Sequence, residues 1–172
     1  MAAWPPTEVG DALRKIPRPE RPGVRWTPET EWHITFRVLG EVPDPAPVID
    51  ALQSELPGRG ARPATLEDIT DELGTTLVVR VDGLRSLASV IRLATARLGD
   101  PPRPDPFEGH IVVARGGRRG VDPELVGQAV KTTDATTWSV GEVALVRSVV
   151  GGTGIGPASP TTFETIATIP LD

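Results

Sequence analysis

Apolar and polar positions alternate most sharply at residues 33–38, where Ile34, Phe36 and Val38 share one parity and His33, Thr35 and Arg37 the other. A period of two predicts a strand with one face in a core and the other turned to water or a ligand. Upstream, Val9, Leu13 and Ile16 fall on one helical face, so residues 7–16 read as a helix capped by Thr7. PRPERPG (17–23) breaks it, and EVPDPAP ends the strand that follows. Residues 47–56 form a short helix with Pro47 in its first turn, and PGRGARP (57–63) is loop. TTLVVRV (75–81) is a strand by its β-branched content. The clearest helix is 86–99, where Leu87, Val90, Ile91, Ala94 and Leu98 make a stripe between Ser86, a cap, and Gly99, a stop. After a loop at 100–109 come a strand at 110–115 and a short helix begun by Asp122-Pro123-Glu124. One long strand or two short ones occupy 137–150, a glycine-rich turn follows, and 162–171 is the last strand. Helices and strands interleave as an α+β pattern in two roughly repeated halves.

Composition narrows the function classes. A chain of 172 residues suits a single domain with its own core, and 18 glycines with 19 prolines imply long, irregular connections. With no cysteine, disulfides, thiol nucleophiles and thiolate metal sites are excluded. A net charge of -5 argues against coating nucleic acid by bulk electrostatics, yet leaves room for a local cationic cleft. Arg25 and Arg37 lie near the strand at 33, and Arg115, Arg118 and Arg119 near the strand at 110. The start, MAAWPPTEVG, lacks the basic end and apolar run of a signal peptide, and no segment approaches the ~18–20 apolar residues of a membrane span. The expectation is a cytoplasmic protein without membrane association.

The two halves echo each other in WHITFRVLG (32–40) and GHIVVARGG (109–117). His33 and His110 are the only histidines, 77 residues apart, and each opens a strand. A single histidine at a strand start is ordinarily a surface residue. Two in matching half-repeats, related by a pseudo-twofold axis, point instead to one shared cleft with an acid and a base near neutral pH. GGTGIG (151–156) is not followed by Lys-Ser/Thr and reads as a turn rather than a phosphate loop. No metal-ligand spacing and no Ser-His-Asp motif is present, so neither metal nor cofactor is expected.

These residues resemble the 2H phosphoesterases, which carry two His-x-Thr/Ser motifs. Within them the chain is most similar to the bacterial 2′-5′ RNA ligase group, also described as RNA 2′,3′-cyclic phosphodiesterases. The resemblance is carried by GVRWTPETEWHITFRVLGEV (23–42), VDGLRSLASVIRLATARLG (81–99) with PFEGHIVVAR (106–115), and WSVGEVALVRS (138–148). It implies one domain over 1–172 with half-repeats of roughly 1–75 and 76–172. The implied fold is bilobal, with two antiparallel sheets around a V-shaped cleft and helices outside. The implied activity is metal-independent hydrolysis of 2′,3′-cyclic phosphate ends of RNA or nucleotides to 2′-phosphates, with weak reversible 2′-5′ ligation, by a monomer. A non-catalytic RNA-end or nucleotide-binding module of the same fold is the alternative, and a small-molecule cyclic phosphodiesterase a third reading.

The resemblance also distributes roles. His110 would act as base toward water and His33 as acid toward the leaving oxygen, with Thr35 donating its hydroxyl to the phosphate. Arg115 matches the arginine that follows the second motif, although strict alternation from His110 puts it on the opposite face unless the strand ends or bulges. Trp26 is a candidate for stacking a base, and Arg37, by its parity with His33, for a nucleotide contact. Three departures stand out. Val112 replaces the second motif's hydroxyl residue, which removes a hydrogen bond to a charged group worth about 1.5–3 kcal/mol, or roughly 10- to 150-fold. Phe163 stands where a tyrosine is common. The family's apolar opening strand is missing ahead of MAAWPP, which suggests a late start site or an unpaired sheet edge.

Overall fold

Ile34 and Ile111, both fully buried, face each other at the centre of the molecule and join its two halves. The structure is a computed structural model and describes residues 1–117, 120–130, 136–150 and 161–172. In chain order the first elements are β1 (Ala2–Ala3), α1 (Thr7–Arg14), β2 (Arg25–Trp26), β3 (Ile34–Thr35), α2 (Ala46–Glu55) and β4 (Arg62–Leu73). After them come β5 (Thr76–Asp82), α3 (Arg85–Ala94), β6 (His110–Arg115), β7 (Thr137–Val140), β8 (Glu142–Val150) and β9 (Thr161–Pro170). Short 3-10 turns span Glu29–Glu31 and Pro123–Leu125.

All strand pairs are antiparallel, in the order β7-β4-β5-β6-β3-β1-β8-β9, with β2 added beside β6. The path is hydrogen-bonded throughout, but β3 and β6 share a single residue pair. Two four-stranded halves thus meet at a narrow waist, β7-β4-β5-β6 on one side and β3-β1-β8-β9 on the other. They correspond in order about the Ile34–Ile111 pair, which is the pseudo-twofold relation the repeated motifs suggested. The helices close one side of this sheet. Val9 and Leu13 of α1, Val48 and Leu52 of α2, and Leu87 and Ile91 of α3 form one core with Leu77, Val79, Val143 and Ile169 of the strands.

Several expectations are corrected. β4, at twelve residues, was not foreseen. Its sequence RPATLEDITDEL is acidic, and a register shift between Leu66 and Thr70 breaks the period-two pattern that would have revealed it. The opening strand is not wholly absent: Ala2–Ala3 forms β1, and Ala2 pairs with Thr35 on one side and Ala144 on the other. Two alanines carry almost no strand propensity, so tertiary pairing alone makes them a strand. Thr7 and Ser86 cap nothing; the residues before the helices are Pro6 and Leu84, neither with a side-chain cap. The stretch 137–150 is two strands, parted at Gly141. The glycine-rich run 151–160 and Arg118 and Arg119 lie outside the described residues.

Candidate functional site

The Ile34–Ile111 pair fixes the geometry of both histidine motifs. Extending its antiparallel register by one residue each way sets His33 across from Val112 and Thr35 across from His110. Because the isoleucines point into the core, these four residues share the opposite face. Directly opposed Cβ atoms lie about 4.5–5.5 Å apart and diagonal ones about 7–8 Å. The two histidines sit on the diagonal.

Each imidazole is anchored in the same way. Nδ1 of His33 lies 2.7 Å from the carbonyl oxygen of Glu31, and Nδ1 of His110 lies 2.7 Å from that of Glu108. A carbonyl only accepts, so each Nδ1 carries the proton and each neutral ring keeps its lone pair on Nε2. Burial lowers both pKa values below the ordinary histidine range. For His33 the Met1 amino group and Arg115 add to the lowering, while the Glu31 carbonyl and carboxylate oppose it. For His110 the lowering charge is Arg80, opposed by the Glu108 carbonyl and carboxylate. Edge-on rings flank His33, Phe163 at 4.6 Å and Trp4 at 5.4 Å between centroids.

Arg115 reaches the cleft face by a bulge. Leu77 pairs with Ala114 but Val78 with Val112, so Val113 is an extra residue in β6. Val113 and Ala114 are consequently both buried, and Arg115 returns to the parity of His110. Its charge is felt at His33, across the waist. Thr35 is half-buried, and its hydroxyl makes no hydrogen bond among the described residues. A cavity of about 520 Å³ opens beside His33 and Thr35, bounded by Met1, Ala2, Leu145, Ser148 and Phe163. It lies to the His33 side of the pair and does not reach His110.

The two residues expected to contact a nucleotide are engaged by other parts of the chain. Arg37 is buried, and its guanidinium donates to Thr95 Oγ1 (2.6 Å) and to the carbonyls of Thr95, Leu98 (3.0 Å) and Asp100 (2.6 Å). It clamps the end of α3 through both terminal nitrogens, while its Nε is without a partner among the described residues and its side chain borders the same cavity as His33 and Thr35. Trp26 packs against the core, its indole N–H donating to the Pro19 carbonyl at 3.2 Å. Phe36 is buried and stacks on Phe107, as its parity implied. Trp4, Arg80 and the two glutamates were not foreseen. The signal for Glu31 and Glu108 was present, since the echo extends to Glu-x-His-Ile in both halves.

No family model matches the sequence, and no curated protein is similar to it in sequence. Solved structures are similar in fold. TT0787 of Thermus thermophilus superposes with a TM-score of 0.78 at 22% identity, over 99% of this chain and 95% of that one. E. coli LigT complexed with 3′-AMP gives 0.71 at 21%, over 99% and 95%. A phosphoesterase gives 0.67 at 24%, over 99% and 95%. LigT has also been crystallised with NADP+ and with ATP.

Proposed function

We propose that this chain, which has the fold of the 2H phosphoesterases, hydrolyses 2′,3′-cyclic phosphate ends of RNA or nucleotides to 2′-phosphates without a metal. The observation that carries the reading is the pair of identically anchored imidazoles set diagonally across the waist. In-line hydrolysis needs a base on one side of phosphorus and an acid on the other. Nε2 of His110 takes a proton from water as its oxygen bonds to phosphorus. The bond to the 3′ oxygen breaks, and that oxygen takes the proton from Nε2 of a protonated His33. Proton exchange with solvent then resets both rings.

The free chain disfavours imidazolium at both positions, so the substrate itself supplies the charge that loads the acid. A monoanionic phosphate about 4 Å from a ring attracts its proton by about 4 kcal/mol at an effective dielectric of 20. Thr35, across from His110, donates its free hydroxyl to a phosphate oxygen, and Arg115 supplies the cationic wall near His33. A base stacks on the exposed side of Trp4. The nucleotides bound by LigT support a nucleotide ligand in this fold. Both histidines come from one chain, so a monomer suffices. No helix among the described residues is long and apolar enough to cross a membrane.

Val112 favours one competing reading, a module that binds RNA ends without turning them over. The two separate in an assay of 2′,3′-cyclic NMP, and of a short RNA bearing that end, in EDTA. Turnover that His33→Ala or His110→Ala reduces by about 10²–10⁴-fold supports the two-histidine mechanism. Binding without turnover by the unmodified chain overturns it in favour of the module.

A further inference from the structure

Each glutamate that anchors an imidazole is itself held by an arginine. The carboxylate of Glu31 accepts a forked pair from Arg25, Nη1 to Oε1 at 3.3 Å and Nη2 to Oε2 at 3.2 Å. The carboxylate of Glu108 accepts from Nη1 of Arg80 at 2.5 Å, while Nε of Arg80 donates to Asp71 at 2.8 Å. Both arginines come from strands paired with β6: Arg25 of β2 is the partner of Arg115, and Arg80 of β5 the partner of His110. The Glu31 side chain is only 3% exposed. A carboxylate that deep is costly unless it is paired and serves a purpose.

We propose that Glu31 and Glu108 are positioning residues: each carbonyl orients one imidazole, and each arginine-clamped carboxylate fixes that carbonyl, with Arg25 and Arg80 completing two equivalent supports. The proposal rests on the two-histidine reading of the site. The support also sets charge at the rings. His33 faces Glu31 against Arg115 and the Met1 amino group, and His110 faces Glu108 against Arg80, which Asp71 in turn neutralises. The carbonyl hydrogen bond is the main influence favouring the protonated ring at each histidine, and the carboxylate of the same glutamate adds to it.

With two histidines in the chain, imidazole titrations are resolved one by one by NMR. Glu108→Gln is the first variant, because the Glu108 side chain is 50% exposed and its substitution is expected to cost the fold little. The expected result is a lower His110 pKa and a smaller share of its Nδ1–H tautomer, an unchanged His33 titration, and a loss in kcat of roughly tenfold with KM nearly unchanged. Arg80→Lys keeps the ion pair and is expected to stay near the unmodified chain on all three readouts. Glu31→Gln moves His33 in the same way, with a larger loss in kcat because Glu31 is buried. An unchanged His110 titration and tautomer in Glu108→Gln overturns the proposal, as does an equal response of both rings. Titration changes in a chain that shows no turnover would refute the proposed hydrolysis and leave the positioning role standing.

Discussion

Restoring a hydroxyl at Val112 is the perturbation that tests the site's internal symmetry. Val112 is half-buried on the His110 face of β6 and lies across from His33, as Thr35 lies across from His110. Val112→Thr therefore places a second donor at the position related to Thr35 by the pseudo-twofold axis. A hydrogen bond to a charged oxygen is worth about 1.5–3 kcal/mol, which predicts a gain of roughly 10- to 150-fold in kcat/KM. The shape of the side chain is kept and its half-exposed position leaves the new hydroxyl access to water. Unfolding free energy should then change by less than about 1 kcal/mol. The assay is hydrolysis of 2′,3′-cyclic NMP with kcat and KM resolved. A gain in kcat means the donor is engaged mainly in the transition state, and a fall in KM alone means uniform binding. An unchanged or lower kcat/KM in a stably folded Val112→Thr chain refutes the equivalence of the two positions.

Thr35→Val should cost the same roughly 10- to 150-fold, and adding Val112→Thr to it should recover part of the loss; a Thr35→Val chain as fast as the unmodified one removes Thr35 from the site. Because burial and nearby cations lower both imidazole pKa values, the kcat/KM profile should be a bell centred below pH 6.5, with the kcat profile displaced to higher pH by the bound anion. A kcat/KM optimum above pH 7 contradicts this. The same shifts make stability pH-dependent: the unfolded chain takes up protons first, so stability falls as pH drops from about 6.5 through the folded pKa values, and urea midpoints should be lower at pH 5.5 than at pH 7.5. Arg37→Met strips the end of α3 of four donated hydrogen bonds and should destabilise the fold by about 3 kcal/mol in urea unfolding. A raised KM for nucleotide with unchanged stability would instead return Arg37 to the site.

The sequence made the centre of the molecule legible and its edges much less so. The echo of His-Ile at 33 and 110 led to the waist because two buried isoleucines and two half-buried histidines alternate there without interruption. Arg115 was legible as a conditional: alternation placed it wrongly unless a bulge intervened, and β6 carries that bulge at Val113. Arg37 illustrates the limit of parity. It shares alternation with His33 and borders the same cavity, but alternation says nothing of where a long side chain ends, and the carbonyls at the end of α3 capture the guanidinium. Nothing local marks Trp4 as a neighbour of His33, since their contact depends on β1 lying between β3 and β8. Glu31 and Glu108 were visible as letters, but carboxylates at loop ends are ordinarily solvated, and only the arginines opposite them give them meaning.

The extra residue in β6 has a stereochemical consequence. A cleft with true twofold symmetry would accept a five-membered cyclic phosphate in either of two orientations, one releasing the 3′ oxygen and the other the 2′ oxygen. The bulge brings Arg115 to the His110 face of β6, while the guanidinium of Arg37, after β3, is tied to the end of α3. The hydroxyl of Thr35 stands beside one histidine and the methyls of Val112 beside the other, with the aromatic rings gathered on the side of His33. On the proposed activity, this handedness makes the reaction regioselective, and the isomer of the monophosphate product records which way round the ribose entered.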